Sequence, residues 1–221
     1  MFYRSLTGQA RAVKIVFGVM IAVSVLAALS DLLEWLLLNR MIAGDPVADS
    51  TLHLNDARQA LMGLLQLAAF IACWIAFIIW IYAAYGNVDV ISRGTRRYDR
   101  GWAIGAWFVP ILNFFRPKQI YNDIYRAAGG RPEASPLVLA WWIMWLVSNL
   151  VGNVAARSQG GDTPEELRSG TIVNLVSDLL DVPAAVLAML VVMRATQLMD
   201  RRAAELPPSP PWQPAPQPVS A

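Results

Sequence analysis

The chain has 221 residues, of which 56% are hydrophobic and 15% charged, with a formal net charge of +2 and a mean hydropathy of +0.43. Soluble domains carry about 25% charged residues, so this composition excludes most water-soluble folds and points to an all-α integral membrane protein. A single cysteine and a single histidine, Cys73 and His53, exclude an intramolecular disulfide and a Cys/His zinc site. No metal, cofactor or nucleic-acid partner is expected, since nucleic-acid binding needs a clustered basic face on a water-facing fold.

Crossing about 30 Å of hydrocarbon takes roughly 20 helical residues, and four apolar stretches meet that length. After an N-terminal segment (1–12), the predicted spans are about 13–38, 59–86, 135–156 and 171–199. Residues 28–30 resemble a signal-peptide cleavage site, but the apolar run continues through LLEWLLL, so an uncleaved anchor is expected. Residues 13–200 then form one membrane domain.

Between the second and third spans lies GWAIGAWFVPILNFF (101–115), apolar but interrupted by Pro110 and Asn113. As a helix it would reach only about 22 Å. The positive-inside rule tests it independently. Without a crossing here, 14 basic residues fall on one side and 4 (Arg40, Arg58, Arg157, Arg168) on the other; with one, the two sides are equal. The expectation is therefore four transmembrane helices in the plasma membrane, with both termini cytoplasmic and 101–115 re-entrant or interfacial. An amphipathic cytoplasmic helix follows at 117–128, opened by Pro117 and closed by Gly129-Gly130. Its apolar face is Ile120, Tyr121, Ile124, Tyr125 and Ala128, with Lys118, Asp123 and Arg126 on other faces.

The string WFVPILNFFRPKQIYNDIYRAA, preceded by GWAIGA, resembles the signature of the bacterial multi-pass membrane proteins catalogued as domain of unknown function 4328. The matching positions are Trp107, Phe108, Pro110, Ile111, Asn113, Arg116 and Pro117. The resemblance extends over roughly residues 60–200, with Tyr125 standing where many relatives have Trp. It implies a membrane location and no established activity.

Physically, Pro110 frees a backbone carbonyl that the Asn113 amide can bond, giving a locked bend. Arg116 then sits at headgroup level. Arg116, Lys118, Arg93, Arg96, Arg97 and Arg100 are candidates for an anion or lipid-headgroup site, although such a cluster also serves as a plain anchor to anionic lipid.

Asp31 and Glu34 share one helical face, as do Asp178 and Asp181. Asp31 and Asp178 each lie about 10 Å in from the outer ends of their spans, with Gln66, Asn149 and Asn153 toward the same side. Ionisable groups inside spans mark ion or proton sites by default. The alternatives are a structural polar cluster, or exposure of the second pair at the interface if Arg194 snorkels.

The tail, 201–221, is Pro-rich from residue 207 onward and is expected to be disordered, with PxxP spacings that suit a docking partner. No nucleotide loop, HExxH or GxSxG motif is present, so no catalytic residues are expected. The leading expectation is a non-enzymatic scaffold or accessory protein holding partners or anionic lipid at its cytoplasmic face. The alternative is a small-solute, ion or proton pathway, possibly homo-oligomeric, built on the four acids.

Overall fold

The computed structural model describes residues 3–158 and 160–206. Those residues form helices α1 (Thr7–Ile42), α2 (Asp49–Ile91), α3 (Trp102–Gly105), α4 (Arg116–Ala127), α5 (Pro136–Ser158) and α6 (Pro164–Ala204), with 3-10 turns at Leu112–Phe114 and Pro132–Ala134. Among the described residues, α1, α2, α5 and α6 are the four helices long and apolar enough to cross a membrane. The Pro-rich tail lies, from residue 207 on, outside the described residues.

Three of these helices are much longer than the apolar runs within them. At 36, 43 and 41 residues, α1, α2 and α6 extend for about 54 to 65 Å, well beyond the hydrocarbon thickness. The overshoot has local causes. At the start of α6, Thr163 caps by accepting from the Glu166 N–H at 3.3 Å, and the Glu166 carboxylate accepts from the Asp162 N–H at 2.9 Å. This is a variant of the capping box, its return bond made one residue before the N-cap, with Pro164 in the first turn. Between α1 and α2, Gly44 at φ 83° turns the chain while the Asp45 N–H returns to the Arg40 carbonyl.

Helix α1 packs most extensively against α6, with α2 on its other side and α5 against α6. Small buried residues permit that approach: Ser24, Ala27, Ala28 and Ser30 on α1, and Ala185, Ala188 and Ala195 on α6. Neighbours run antiparallel. Tyr3 donates to Asp200 at 2.6 Å, Asn87 donates to the Arg4 carbonyl at 2.7 Å, and at the opposite end Thr171 donates to Glu34 at 3.0 Å. The start of α1, the ends of α2 and α6 and the connection through α3 and α4 therefore share one end of the bundle.

That end is where the core lies. Trp80, Ile81, Tyr85, Val88, Ile120, Tyr121, Ile124, Trp141, Val191 and Met199 are buried there together. Helix α4 is pinned to α6 by the Tyr121 hydroxyl, which donates to the Val191 carbonyl at 2.8 Å, and α2 to α6 by Trp80 Nε1 on the Thr196 hydroxyl at 2.9 Å. Burial next to Asp200 holds the Tyr3 phenol well above the usual tyrosine range.

In α4, Ile120, Tyr121, Ile124 and Tyr125 are buried, and Gly129 at φ 82° ends the helix. Asp123, which spacing puts off the apolar face, is nonetheless fully buried. Its carboxylate contacts Arg97 Nε at 3.0 Å and Arg126 at 3.3 Å, and accepts from the Arg97 N–H at 3.3 Å and the Tyr85 hydroxyl at 3.4 Å. Burial raises its pKa, outweighing the two arginines. The 93–100 loop is tied to α4 through this side chain and through Tyr98, whose hydroxyl donates to Gln119 at 2.6 Å.

Candidate functional site

The remaining feature of the bundle is at its other end and middle, where packing is incomplete. A polar cavity of about 400 Å³ opens between α1, α2, α5 and α6, lined by Asp31, Glu34, Gln59, Gln66, Asp178 and Asp181 among others. Asp31 and Asp178 are 7% and 6% exposed, which removes the alternative of Asp178 as an exposed interfacial residue. Both acid pairs, separated by well over a hundred positions in sequence, line one space because α1 and α6 pack antiparallel.

Amides and hydroxyls from α2 and α6 hold the carboxylates. Gln59 Nε2 donates to Asp31 at 3.1 Å and to Glu34 at 2.6 Å, and Gln66 Nε2 donates to Asp178 at 2.6 Å. Asn55 and Thr171 donate to Glu34 at 3.1 and 3.0 Å. Arg58, on α2, donates to Ser30 and Asn55 and makes no ion pair with the acids among the described residues. Asp31 Oδ2 is buried with no hydrogen-bond partner among the described residues. Likewise among the described residues, no three His, Cys, Asp or Glu side chains are grouped to hold a metal ion.

Asp181 has a second role. Ser148 on α5 donates to it at 2.5 Å, and both side chains also line a neighbouring aromatic cavity of about 130 Å³. That cavity occupies the space between α2 and α5, which make almost no close backbone contact. Aromatic rings close the gap: Trp107 meets Trp74, Phe77 and Trp145 edge to face at centroid distances of 5.7, 5.4 and 5.4 Å.

Trp107 belongs to the connection between α3 and α4. The chain belongs to the family described as Domain of unknown function (DUF4328). Residues 43–197 match it, beginning earlier than the resemblance at 60–200 and taking in all of α2. No curated protein and no solved structure matches the chain. In this member of DUF4328, Trp107 is buried and fixed by its indole N–H on the Ala103 carbonyl at 3.1 Å. Phe108, Ile111 and Phe114 are exposed. The bend at Pro110 is held by the Asn113 backbone N–H on the Val109 carbonyl at 2.9 Å. The expected Asn113 side-chain lock is replaced by this backbone bond, and Asn113 Oδ1 has no partner among the described residues.

The basic candidates separate into two groups. Arg96 pairs with Asp89 at 2.9 Å and Arg97 with Asp123. Arg100 stacks on Tyr82 at 3.9 Å and donates to its carbonyl. Arg116 is held between the Trp102 ring at 4.0 Å and the Tyr98 ring at 4.7 Å. Arg93 is exposed and Lys118 half-buried. Two of the four arginines in 93–100 thus hold buried or half-buried carboxylates, and they brace the fold. Asn149 and Asn153 donate to carbonyls of their own helix and are exposed; of the two, Asn149 reaches the aromatic cavity. Sequence reading missed Gln59 and Ser148, which are short polar positions in apolar helices whose only signal is their helical register with the acids across the bundle.

Proposed function

We propose that this DUF4328 protein is a non-enzymatic membrane protein that takes up a proton or small cation in its acid-lined cavity, as part of a solute pathway through the bundle. The convergence of Asp31, Glu34, Asp178 and Asp181 on one cavity, with Asp31 Oδ2 without a partner among the described residues, carries this reading. Ionisable groups at membrane depth are costly unless they pair, hold protons or meet a cation, and among the described residues Arg58 is bonded to Ser30 and Asn55 and not to any of these four.

The reading places the 93–131 connection and both termini at the cytoplasmic face of the plasma membrane, as the distribution of arginines favours. Residues 101–115 enter that face without crossing, with Phe108, Ile111 and Phe114 in lipid. Helix α4 lies along it. Arg116, Arg93 and Lys118 serve as the anchor to anionic headgroups, which the scaffold reading shares.

The test is thermal melting of the purified protein in detergent micelles across a pH and cation series. Wild type is expected to show a cation- and pH-dependent melting temperature, which Asp31→Asn and Asp178→Asn flatten. If both variants melt like wild type throughout the series, the cavity handles no charge and the reading is withdrawn.

A further inference from the structure

The two cavities differ in character, and one side chain belongs to both. The larger is lined by carboxylates, amides and hydroxyls. The smaller is walled by Trp74, Phe77, Trp107, Trp141 and Trp145, and its acidic member is Asp181. We infer that the aromatic cavity and Asp181 together bind a small alkylammonium cation, and that Asp181 is where such a cation passes from the polar cavity into the aromatic one. The inference rests on the proposed cation pathway and names its substrate class.

Each competing occupant fails on chemistry. A metal ion needs several oxygen ligands, and this cavity offers one carboxylate, Asp181, beside the Ser148 hydroxyl that is already committed to it and the Asn149 amide. A proton path needs continuous water, and a mostly aromatic cavity of about 130 Å³, whose polar members are Asp181, Ser148 and Asn149, offers a water chain few partners. A lipid acyl chain would leave the Asp181 carboxylate facing hydrocarbon at membrane depth, a costly arrangement. An alkylammonium satisfies both parts, since aromatic faces attract its charge and cover its alkyl groups, while the carboxylate neutralises it. The cavity lies along the middle stretches of all four long helices, from Phe17 and Trp74 to Trp145 and Ala185. A lipid headgroup does not reach that depth, so a free solute is the source.

Trp107 is suited to such a site because it is held rigidly. Its indole N–H is committed to Ala103 and three rings meet it edge to face. This explains why the connection carrying Trp107 is drawn into the bundle.

The test is equilibrium binding of radiolabelled choline to the full chain in maltoside micelles, with its neutral isostere 3,3-dimethylbutan-1-ol as competitor. Saturable choline binding that the isostere does not displace is expected. Asp181→Asn should weaken it about tenfold or more, Asp181→Glu should retain most of it, and Trp107→Leu should weaken it more than Trp107→Phe. Absence of saturable binding to folded wild type, equal competition by the isostere, or unchanged binding to Asp181→Asn overturns the inference. The isostere comparison uses wild type alone, so it decides the matter even if a variant does not fold. If choline fails while Asp31→Asn still flattens the pH and cation dependence of melting, only the substrate class falls and the cation pathway stands.

Discussion

Gln66 on α2 donates to the Asp178 carboxylate on α6 at 2.6 Å across 112 positions of sequence, bridging two helices that otherwise make few backbone contacts. The bond spans the wall of the polar cavity, so it sets both the position of the acid and the width of the space. Interhelical hydrogen bonds in membranes contribute about 0.6 kcal/mol on average and up to about 1.7. Gln66→Leu should therefore lower stability by about 0.5 to 2 kcal/mol. The decisive measurement is a double-mutant cycle with Asp178→Ala, which removes the acceptor, in detergent unfolding, where a coupling energy indistinguishable from zero means the bridge does not hold the cavity.

Asp123 organises the opposite end. Its buried carboxylate contacts Arg97, Arg126, the Arg97 N–H and the Tyr85 hydroxyl, so removing it strips partners from four groups at once. The two arginines are 44% and 32% exposed and regain water, which limits the cost to about 2 to 4 kcal/mol for Asp123→Ala. The loop 93–100 should then open, and trypsin should cut at Arg93, Arg96 or Arg97 markedly faster than in wild type. Unchanged proteolysis would mean that the loop is held by Tyr98, Arg100 and their neighbours without Asp123.

Much of this architecture was legible in the residues and some was not, for identifiable reasons. The long helices and the acid pairs followed from apolar length and from three-residue spacing. Their convergence followed from matched depth, because Asp31 and Asp178 lie equally far from the connected ends of antiparallel helices. The burial of Asp123 could not be read from periodicity, because it depends on Arg97 from the preceding loop as well as Arg126 one turn along the same helix. The early start of α6 was encoded in Thr163-Pro164-Glu165-Glu166, a cap that hydropathy alone passes over. The aromatic cavity had no local signature at all, since Trp74, Trp107 and Trp145 come from three segments and meet only through tertiary packing.

Gly170 lies at a tight backbone approach in the α5–α6 hairpin. A β-carbon there would lie 2.6 Å from the Ser158 carbonyl oxygen, and backbone cannot move aside as a flexible side chain does. Gly170→Ala should destabilise the hairpin by about 1 to 3 kcal/mol through overpacking and alter the polar cavity, which Gly170 and Ser158 both line. The contrast is Gly152→Ala, where the added carbon meets only the Ser177 hydroxyl at 3.7 Å. A Gly170→Ala protein that melts with the Gly152→Ala protein would show that the hairpin yields freely at this contact.

The orientation of the bundle admits a direct measurement. His53, near the start of α2, and Arg131, after α4, are both exposed and lie at opposite ends of the bundle, since α2 runs from the end holding Glu34 and Thr171 to the end holding Arg4 and Asn87. Cys73 is the single cysteine and is buried against the Val16 carbonyl at 3.5 Å, so a Cys73→Ala background should fold and present no competing thiol. On intact cells, a membrane-impermeant maleimide should modify His53→Cys and leave Arg131→Cys unmodified until the cells are opened. The reverse pattern would invert the topology, placing the arginine-rich end outside against the positive-inside bias. Labelling of both positions from outside would be incompatible with two ends on two sides and would require a further crossing between α2 and α5, for which residues 101–115 are the sole apolar stretch and, at α3 and one 3-10 turn, have too little helix.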